Sequence, residues 1–502
     1  MRIFSRLSTA GGAAVLATVL FATTASAADG APGLDDPYYP LDGNGGYDVS
    51  HYDIRLSYQP TSDLLWGTTT ILAKATQDLT RFNLDFLLRV ESVRVNNAIA
   101  RFESTGNGEL VVTPARPVAR NGDMTIVVQY RDVPSNPNYT LYGFNLWTRT
   151  PTGALASNAP QTAAWWYPSN NTLTDKATFD VSVSVPEGVE VLSNGVLVSQ
   201  QQRIPGWVRW NWRSTSPQVT YSTLLAIGQF DEIRTDVSPS GLPVITAYAN
   251  NLGENADAAR ASVERTPEIL EFEESLFGPY PFEAQGGIVT GRFELGFALE
   301  NQTRPVYDGL FFDGGSNTVI VAHENAHMWF ANSVSAHAWN DVWLHEGFAT
   351  YAQFLWSEHV DEGTAAELTQ FRYDTMPADS PWWQVLPGNP GPENQFHQAI
   401  YFRGAMALQA LRTAVGDDTF FTILRTWAAE HRYGDATIAQ FIALSERISG
   451  QDLGELFNTW LYTPGKPATG PNGTVAALRA TAEPKSYRQI SQTIDLLSQK
   501  HG

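Results

Sequence analysis

Apolar and polar positions alternate at Tyr52-Ile54-Leu56, at Val93-Val95, over Thr125 to Tyr130 and over Phe179 to Val185. This period of two predicts half-buried strands. Between Val189 and Val198 the pair Asn194-Gly195 separates two apolar runs, a strong short-range hairpin signal, and Val208-Trp210-Trp212 with Tyr221 to Ile227 carries the pattern to about Tyr248. After Asn250-Asn251 the period changes. Residues 256–276 have helical spacing with a break expected at Pro267, and Phe277-Gly278-Pro279 stops them. Helical segments dominate to about Leu461, and Pro464-Gly465-Lys466-Pro467 closes the region. The pattern predicts a multidomain α and β chain, with an antiparallel β domain over 47–245 followed by a mainly helical domain over 246–467. The tail 468–502 carries one amphipathic stretch, Tyr487 to Leu497, too little for a further domain.

The chain start adds a processing signal. Arg2 and Arg6, an apolar run from about Ala13 to Ala22 and the small-x-small pattern Ala25-Ser26-Ala27 predict a signal peptide over 1–27. The run is shorter than the ~20 residues a membrane span needs. Residues 28–46 are rich in Asp, Pro and Gly and read as a flexible leader. Composition then narrows the chemistry. With 52 acidic against 32 basic residues the 502-residue chain has a formal charge of −20, which repels phosphate backbones and anionic lipid and excludes nucleic-acid and membrane-surface partners. The absence of cysteine excludes disulfides, a thiol nucleophile and thiolate metal sites, leaving His and carboxylate as the strong metal ligands. A secreted bacterial exoprotein is the expectation, read from the signal, the acidity and the lack of cysteine together.

Five of the nine histidines fall within residues 323–359. In His323-Glu324-Asn325-Ala326-His327 the two histidines share one helix face, so both imidazoles reach one cation, and Glu324 stands beside them. A catalytic zinc takes three protein ligands and leaves a position for water. Glu346, 19 residues beyond His327 in the helically spaced Val342-Trp343-Leu344-His345-Glu346-Gly347-Phe348, supplies the third. Two nitrogens and a carboxylate oxygen suit zinc. The competing reading is a pair of surface helices with chance histidines, or a closed structural site.

These residues resemble the zinc signature of the aminopeptidase N type metallopeptidases, the gluzincin aminopeptidases. Phe297-Ala298-Leu299-Glu300-Asn301 stands where that family has Gly-Ala-Met-Glu-Asn, and Tyr401-Phe402-Arg403-Gly404-Ala405 is similar to its Tyr-x-Lys-Gly-Ala. The resemblance covers about residues 47–467 and implies a thermolysin-like catalytic domain with one zinc ion per chain on His323, His327 and Glu346. It further implies Glu324 as general base, Tyr401 as the donor that stabilises the tetrahedral intermediate, and an edge including Ala298, Glu300 and Asn301 that binds peptides, Glu300 holding their free α-amine. Peptides with a free N-terminus are the partners so implied. Some positions depart from the pattern: Phe297 replaces Gly, and Asn325, Met328, Ala331 and His345 replace the usual Leu, Gln, Gly and Asn. Many relatives place a second amine anchor nine residues before the equivalent of Pro168, which here is Ala159, and Gln161 is the nearest substitute. The long C-terminal helical domain of large members has no counterpart in the 35 residues after Pro467, so a more open cleft is expected.

Other readings stay open at this level. A thermolysin-like endopeptidase shares the zinc helix, although its spacer is one residue longer and it carries an Asp where this chain has Thr350. An epoxide hydrolase relative shares the zinc site. Fifteen tryptophans, among them Trp165-Trp166, Trp382-Trp383 and Trp207, Trp210 and Trp212, also suit an inactive peptidase fold that binds carbohydrate. The sequon Asn301-Gln302-Thr303 reads as coincidence, because a glycan there would block the cleft.

Overall fold

A computed structural model describes residues 28–136, 145–474 and 482–498. The expected signal peptide lies outside the described residues, among which no helix is long and apolar enough to cross a membrane. The N-terminal half is dominated by an eight-stranded sheet made of Tyr47–Gln59 (β1), Leu64–Ala75 (β2), Val90–Val95 (β3), Ala98–Ile99 (β4), Asp123–Asp132 (β5), Ala177–Pro186 (β6), Val196–Ile204 (β7) and Trp207–Gln218 (β8), in the order β7-β8-β6-β1-β2-β5-β3-β4. Alternate residues of β1, such as Tyr52, Ile54, Leu56 and Tyr58, are buried, as the period of two predicts. One pairing is parallel: β6 runs alongside β1 from Thr178↔His51 to Ser184↔Ser57. An alternating strand reads the same in either direction, so periodicity does not reveal this.

The Asn194-Gly195 hairpin does not form. Glu190–Ser193 pairs with Leu225–Gly228 in one sheet, while β7 pairs with β8 in another. The chain changes sheets at this corner because the Asn194 side chain is committed elsewhere. Its Nδ2 donates to the carbonyls of Ser222 (3.0 Å) and Gln302 (2.7 Å), and its Oδ1 accepts from Leu224 N (2.7 Å). Gly195 has φ +70° and a Cβ there would lie 2.0 Å from the Arg213 carbonyl oxygen, so only glycine fits.

A five-stranded sheet leads into the helical half. Phe230–Val237 (β9), Pro243–Ala249 (β10), Gln285–Thr290 (β11), Ala298–Leu299 (β12) and Val306–Asp308 (β13) lie in the order β9-β10-β11-β13-β12. This ladder crosses the position near 245 where the change of period set the domain boundary, because β9 and β10 join the sheet of the following half. The expected break at Pro267 falls between Ala256–Val263 and Thr266–Phe277 (α1), with Pro267 in the first turn of α1, where its missing N–H costs nothing. Four further helices matter below: Thr318–Ala326 (α2), Trp343–His359 (α3), Gln398–Val415 (α4) and Tyr487–Leu497 (α5). In α5, Ile490, Ile494 and Leu497 are buried in the core of the helical half, so this part of the tail is docked.

Residues 28–46, expected as a flexible leader, make specific contacts with both halves. Ala28–Asp29 pairs with Leu79–Asp85, Trp339 N donates to Asp36 Oδ2 (2.8 Å), and Tyr39 Oη donates to Gln395 Oε1 (2.7 Å). Composition rich in Asp, Pro and Gly did not reveal that these side chains meet partners some 300 residues away. Lys176 ties the halves together at another point: its Nζ donates to the carbonyls of Asn332 (3.0 Å), Ser333 (2.8 Å) and Gly434 (2.8 Å), and burial pushes its pKa down to about 7. Trp165, Trp166, Trp212 and Trp383 are core residues, which removes most of the tryptophan argument for a carbohydrate-binding surface.

One core group is a liability. Glu273 on α1 is 0% exposed, and neither carboxylate oxygen has a hydrogen-bond partner among the described residues. Burial raises its pKa well above the ordinary value. The folded state therefore holds a proton that the unfolded chain releases above about pH 4.3, and stability is lost as pH rises from there toward the folded-state pKa. Glu273→Leu is expected to raise unfolding free energy by about 1–3 kcal/mol at pH 7.5, with the gain shrinking toward pH 4. Urea unfolding of both proteins at the two pH values checks this; an equal or lower stability of the variant at pH 7.5 contradicts it.

Candidate active site

Asn317 caps α2, its Oδ1 accepting from Ile320 N (3.3 Å), and the helix carries His323 and Glu324 in its last turns with His327 at its C-cap. Glu346 sits in the first turn of α3. Packing of α2 on α3 brings His323 Nε2 to 3.2 Å and His327 Nε2 to 3.6 Å from Glu346 Oε2, with all three side chains buried. One ligand atom from each lies within 4.8 Å of the others, a cluster able to hold a metal ion.

The second nitrogen of each ligand imidazole is occupied. Taken as a donor, His323 Nδ1 bonds Gln353 Oε1 (2.8 Å) and His327 Nδ1 bonds the Phe330 carbonyl (3.2 Å), which leaves both Nε2 lone pairs facing the cluster. Burial holds the His323 pKa down. At His327 burial acts in the same direction, but the carboxylates of Glu300, Glu346 and Glu324 outweigh it and lift the pKa to about 9. This surplus of negative charge around neutral-donor imidazoles suits a divalent cation, and nitrogen, nitrogen and oxygen suit zinc. Gln353→Leu is expected to weaken zinc binding about 10- to 100-fold through the loss of the His323 contact. Chelator competition measures this, and unchanged affinity would show that Gln353 does not orient His323.

Two glycines set the distance between α3 and α4. A Cβ on Gly404 would meet the Gly347 Cα at 3.1 Å and the Trp343 ring at 2.5 Å, so the backbones approach closely there. Gly347 follows Glu346 and Gly404 follows Arg403, so this contact sets Tyr401 against the metal cluster. The Tyr401 ring stacks on His323 with centroids 6.0 Å apart, and its buried hydroxyl has no hydrogen-bond partner among the described residues. Burial, reinforced by Glu346, Glu324 and Glu300, raises its pKa well above 10, so it remains a donor. Arg403 is a buried clamp whose guanidinium donates to the carbonyls of Trp460 (2.8 Å) and Trp383 (2.7 Å).

The third motif forms an edge beside the cluster. Phe293, Leu295 and Gly296 N–H groups donate to the Asp308 carboxylate (2.9, 2.9 and 2.8 Å), which fixes the approach to β12. Ala298 pairs with Tyr307 through the backbone. Glu300 follows, its carbonyl accepting from Asn332 Nδ2 (2.7 Å), and its carboxylate lies within 4.8 Å of ligand atoms of Glu324 and His327. The Asn301 side chain turns into the β half: Oδ1 accepts from Ser157 Oγ (2.6 Å) and Nδ2 donates to the carbonyls of Ser222 and Thr223 (both 3.2 Å). It secures the edge, and at 0% exposure it is closed to a glycan. Arg304, also fully buried, donates to the carbonyls of Ser193 and Gly195 and anchors the edge to the corner at Asn194.

Gln161, expected as a substitute amine anchor, has its amide engaged by the β half. Its Nε2 donates to Asp42 Oδ2 (2.8 Å), and it lines a cavity of the β half with Asp42, Asp85 and Glu109. The leader's Asp42, read as part of a flexible segment, captures the amide. His345 Nε2 accepts from Ala336 N (2.8 Å), which occupies its lone pair, and burial holds its pKa down at about 4. His337 is at the surface, 2.6 Å from Asp435. Phe297 is packed into the core of the helical half. Sequence reasoning missed Gln353 and Tyr221, the latter donating to Glu300 Oε1 (3.0 Å). Gln353 stands seven residues after Glu346, on the same face of α3, and that spacing was its only sequence signal.

Comparisons with known proteins agree with this geometry. Residues 49–222 match the peptidase M1 N-terminal domain and residues 261–460 the peptidase family M1 domain. The chain is 26% identical over 314 residues to aminopeptidase N of Streptomyces lividans, covering 58% of this chain and 36% of that protein. It is 26% identical to aminopeptidase M1 of Arabidopsis thaliana, covering 83% of this chain and 50% of the relative. The chain thus spans half or less of the length of these two relatives. A solved structure of a mutant M1 zinc metallopeptidase from Deinococcus radiodurans, bound to a Tyr-Ser-Ala substrate, superposes with a TM-score of 0.75 at 27% identity, covering 87% of this chain and 99% of that one. A related structure of a two-domain M1 zinc metallopeptidase mutant holds L-arginine.

Proposed function

The chain belongs to peptidase family M1, and on that premise we propose that it is a zinc-dependent aminopeptidase that removes N-terminal residues from peptides. The observation that carries this reading is the position of Glu300, an acid outside the ligand triad whose carboxylate stands within 4.8 Å of Glu324 and His327 ligand atoms. A substrate ammonium paired with Glu300 sets the scissile carbonyl one residue from the N-terminus.

His323, His327 and Glu346 would hold the zinc, which when bound would polarise the carbonyl and acidify water. Glu324 accepts the proton of the attacking water and returns it to the leaving amine. Tyr401 Oη donates to the oxyanion that develops on the scissile carbonyl. The packed helices α2, α3 and α4 keep these groups buried and limit their motion before substrate arrives, so little reorganisation accompanies reaction. The 1–27 pattern supports export of the mature chain, which sequencing the N-terminus of secreted protein tests.

The function is tested with amino-acid p-nitroanilides beside their N-acetylated forms, with and without a chelator and zinc add-back, in wild type and Glu300→Ala. Free-amine substrates should be cleaved, acetylated ones spared, and the chelator should abolish activity until zinc returns. Glu300→Ala should raise KM for free-amine substrates about 10- to 100-fold. Equal cleavage of acetylated substrates would replace this reading with an endopeptidase.

A further inference from the structure

We propose that Tyr221 is the positioning residue of the amine anchor, holding the Glu300 carboxylate toward the substrate ammonium and away from His327. This inference rests on the aminopeptidase reading above and deepens it. Tyr221 lies in the short turn Thr220–Ser222 between β8 and Leu225–Gly228, and belongs to the β half although it serves a site on the helical half. It is 2% exposed, and its Oη donates to Glu300 Oε1 at 3.0 Å. Burial first, and Glu300 after it, keep the phenol protonated, so its role in this pair is that of donor.

Glu300 needs such a restraint. Its backbone is fixed by Asn332, but its carboxylate lies within reach of His327 and Glu324, and the same three residues form a second group able to bind a cation. An unrestrained carboxylate would be drawn to His327 or to a metal on it, and would then be lost to the substrate. The phenol opposes this pull with a hydrogen bond to a charged acceptor, one of the stronger kinds.

Tyr221 is itself held from several sides. The next carbonyl, that of Ser222, accepts from Asn194 Nδ2 (3.0 Å), Asn301 Nδ2 (3.2 Å) and Gln302 N (3.3 Å). The ring meets Trp339 edge-on with centroids 5.2 Å apart, and Trp339 in turn meets Tyr39 at 6.1 Å. The packed leader therefore braces the ring that braces the anchor. With Ala159 at the position of the second anchor and Gln161 turned to Asp42, the amine end of the site depends on Glu300 being correctly aimed.

The test compares wild type, Tyr221→Phe, Glu300→Ala and the double variant as zinc-loaded enzymes of matched metal content and melting temperature. Phenylalanine keeps the ring contact with Trp339 and removes only the donor. Inhibition constants are measured for leucinol and for its des-amino analogue isohexanol, with KM and kcat on leucine p-nitroanilide. Tyr221→Phe should weaken leucinol and raise KM about 10-fold, leave isohexanol unchanged and hold kcat within about two-fold. In the Glu300→Ala background the same change should have no further effect. Equal weakening of both inhibitors, or additive effects in the double variant, would overturn the proposal and make Tyr221 a packing residue. If Glu300→Ala alone leaves the preference for leucinol intact, the amine-anchor reading itself fails, and the Tyr221 proposal with it.

Discussion

Glu324→Gln is expected to lower kcat about 1000-fold on a free-amine p-nitroanilide while each chain still binds one zinc ion. The two halves of this expectation have separate physical origins. Glutamine has nearly the shape of glutamate but cannot accept a proton, so the attacking water loses its base and the leaving amine its acid. The ligand triad does not include Glu324: Glu346 Oε2 stands 3.2 Å from His323 and 3.6 Å from His327, and Gln353 and the Phe330 carbonyl occupy the opposite ring nitrogens. Removing one negative charge also lessens the crowding of acids that lifts His327. Metal analysis beside steady-state kinetics reads both halves. A variant that keeps a tenth or more of wild-type kcat would remove Glu324 from the proton path, and loss of zinc at unchanged fold would make it a ligand.

Tyr401→Phe is expected to lower kcat about 100- to 1000-fold with KM changed by no more than about three-fold. The hydroxyl is buried against His323, lacks a protein partner among the described residues, and is held as a donor by burial and three nearby carboxylates. A group in that state gains its hydrogen bond only when negative charge develops in front of it. The gain therefore belongs to the transition state, and its loss falls on kcat. Phenylalanine preserves the ring stacking on His323, so zinc content and melting temperature should stay at wild-type values. A rise in KM of the same size as the fall in kcat/KM, with kcat kept, would make Tyr401 a ground-state binding group.

The two variants also test the architecture. Glu324 is placed by the α2 helix, whereas Tyr401 depends on the close approach of α3 and α4 at Gly347 and Gly404. Gly404→Ala, which would press a methyl group against Trp343, should act on Tyr401 by displacement.

Much of the site was legible in the chain because it is local. His323, Glu324 and His327 fall within five residues, and helix periodicity alone puts the two imidazoles on one face. Alternation likewise located most strands, and Pro267 and Gly278 bounded a helix through backbone constraints that any context imposes. Glu346 followed from the need for a third ligand on a nearby helically spaced stretch, and the resemblance to a known zinc signature carried the roles expected of Tyr401 and Glu300.

What depends on partners distant in sequence was settled only by the tertiary structure. Asn194-Gly195 has the residues of a hairpin turn, yet the carbonyls of Ser222 and Gln302 claim the Asn194 side chain and make a corner between sheets. The leader's composition suggested mobility, but Asp36, Tyr39 and Asp42 find partners in Trp339, Gln395 and Gln161, and the last of these pairings engages the Gln161 amide. Tyr221 had no sequence signal beyond the start of an apolar run, and Gln353 only its place on a helix face. Periodicity reports which face of an element is buried and local chemistry reports where it can end. Which hydrogen-bonding groups meet across the core is decided by how whole elements pack, and there the ladder of β9 and β10, the glycine contact of α3 with α4 and the Tyr221 to Glu300 bond arise together.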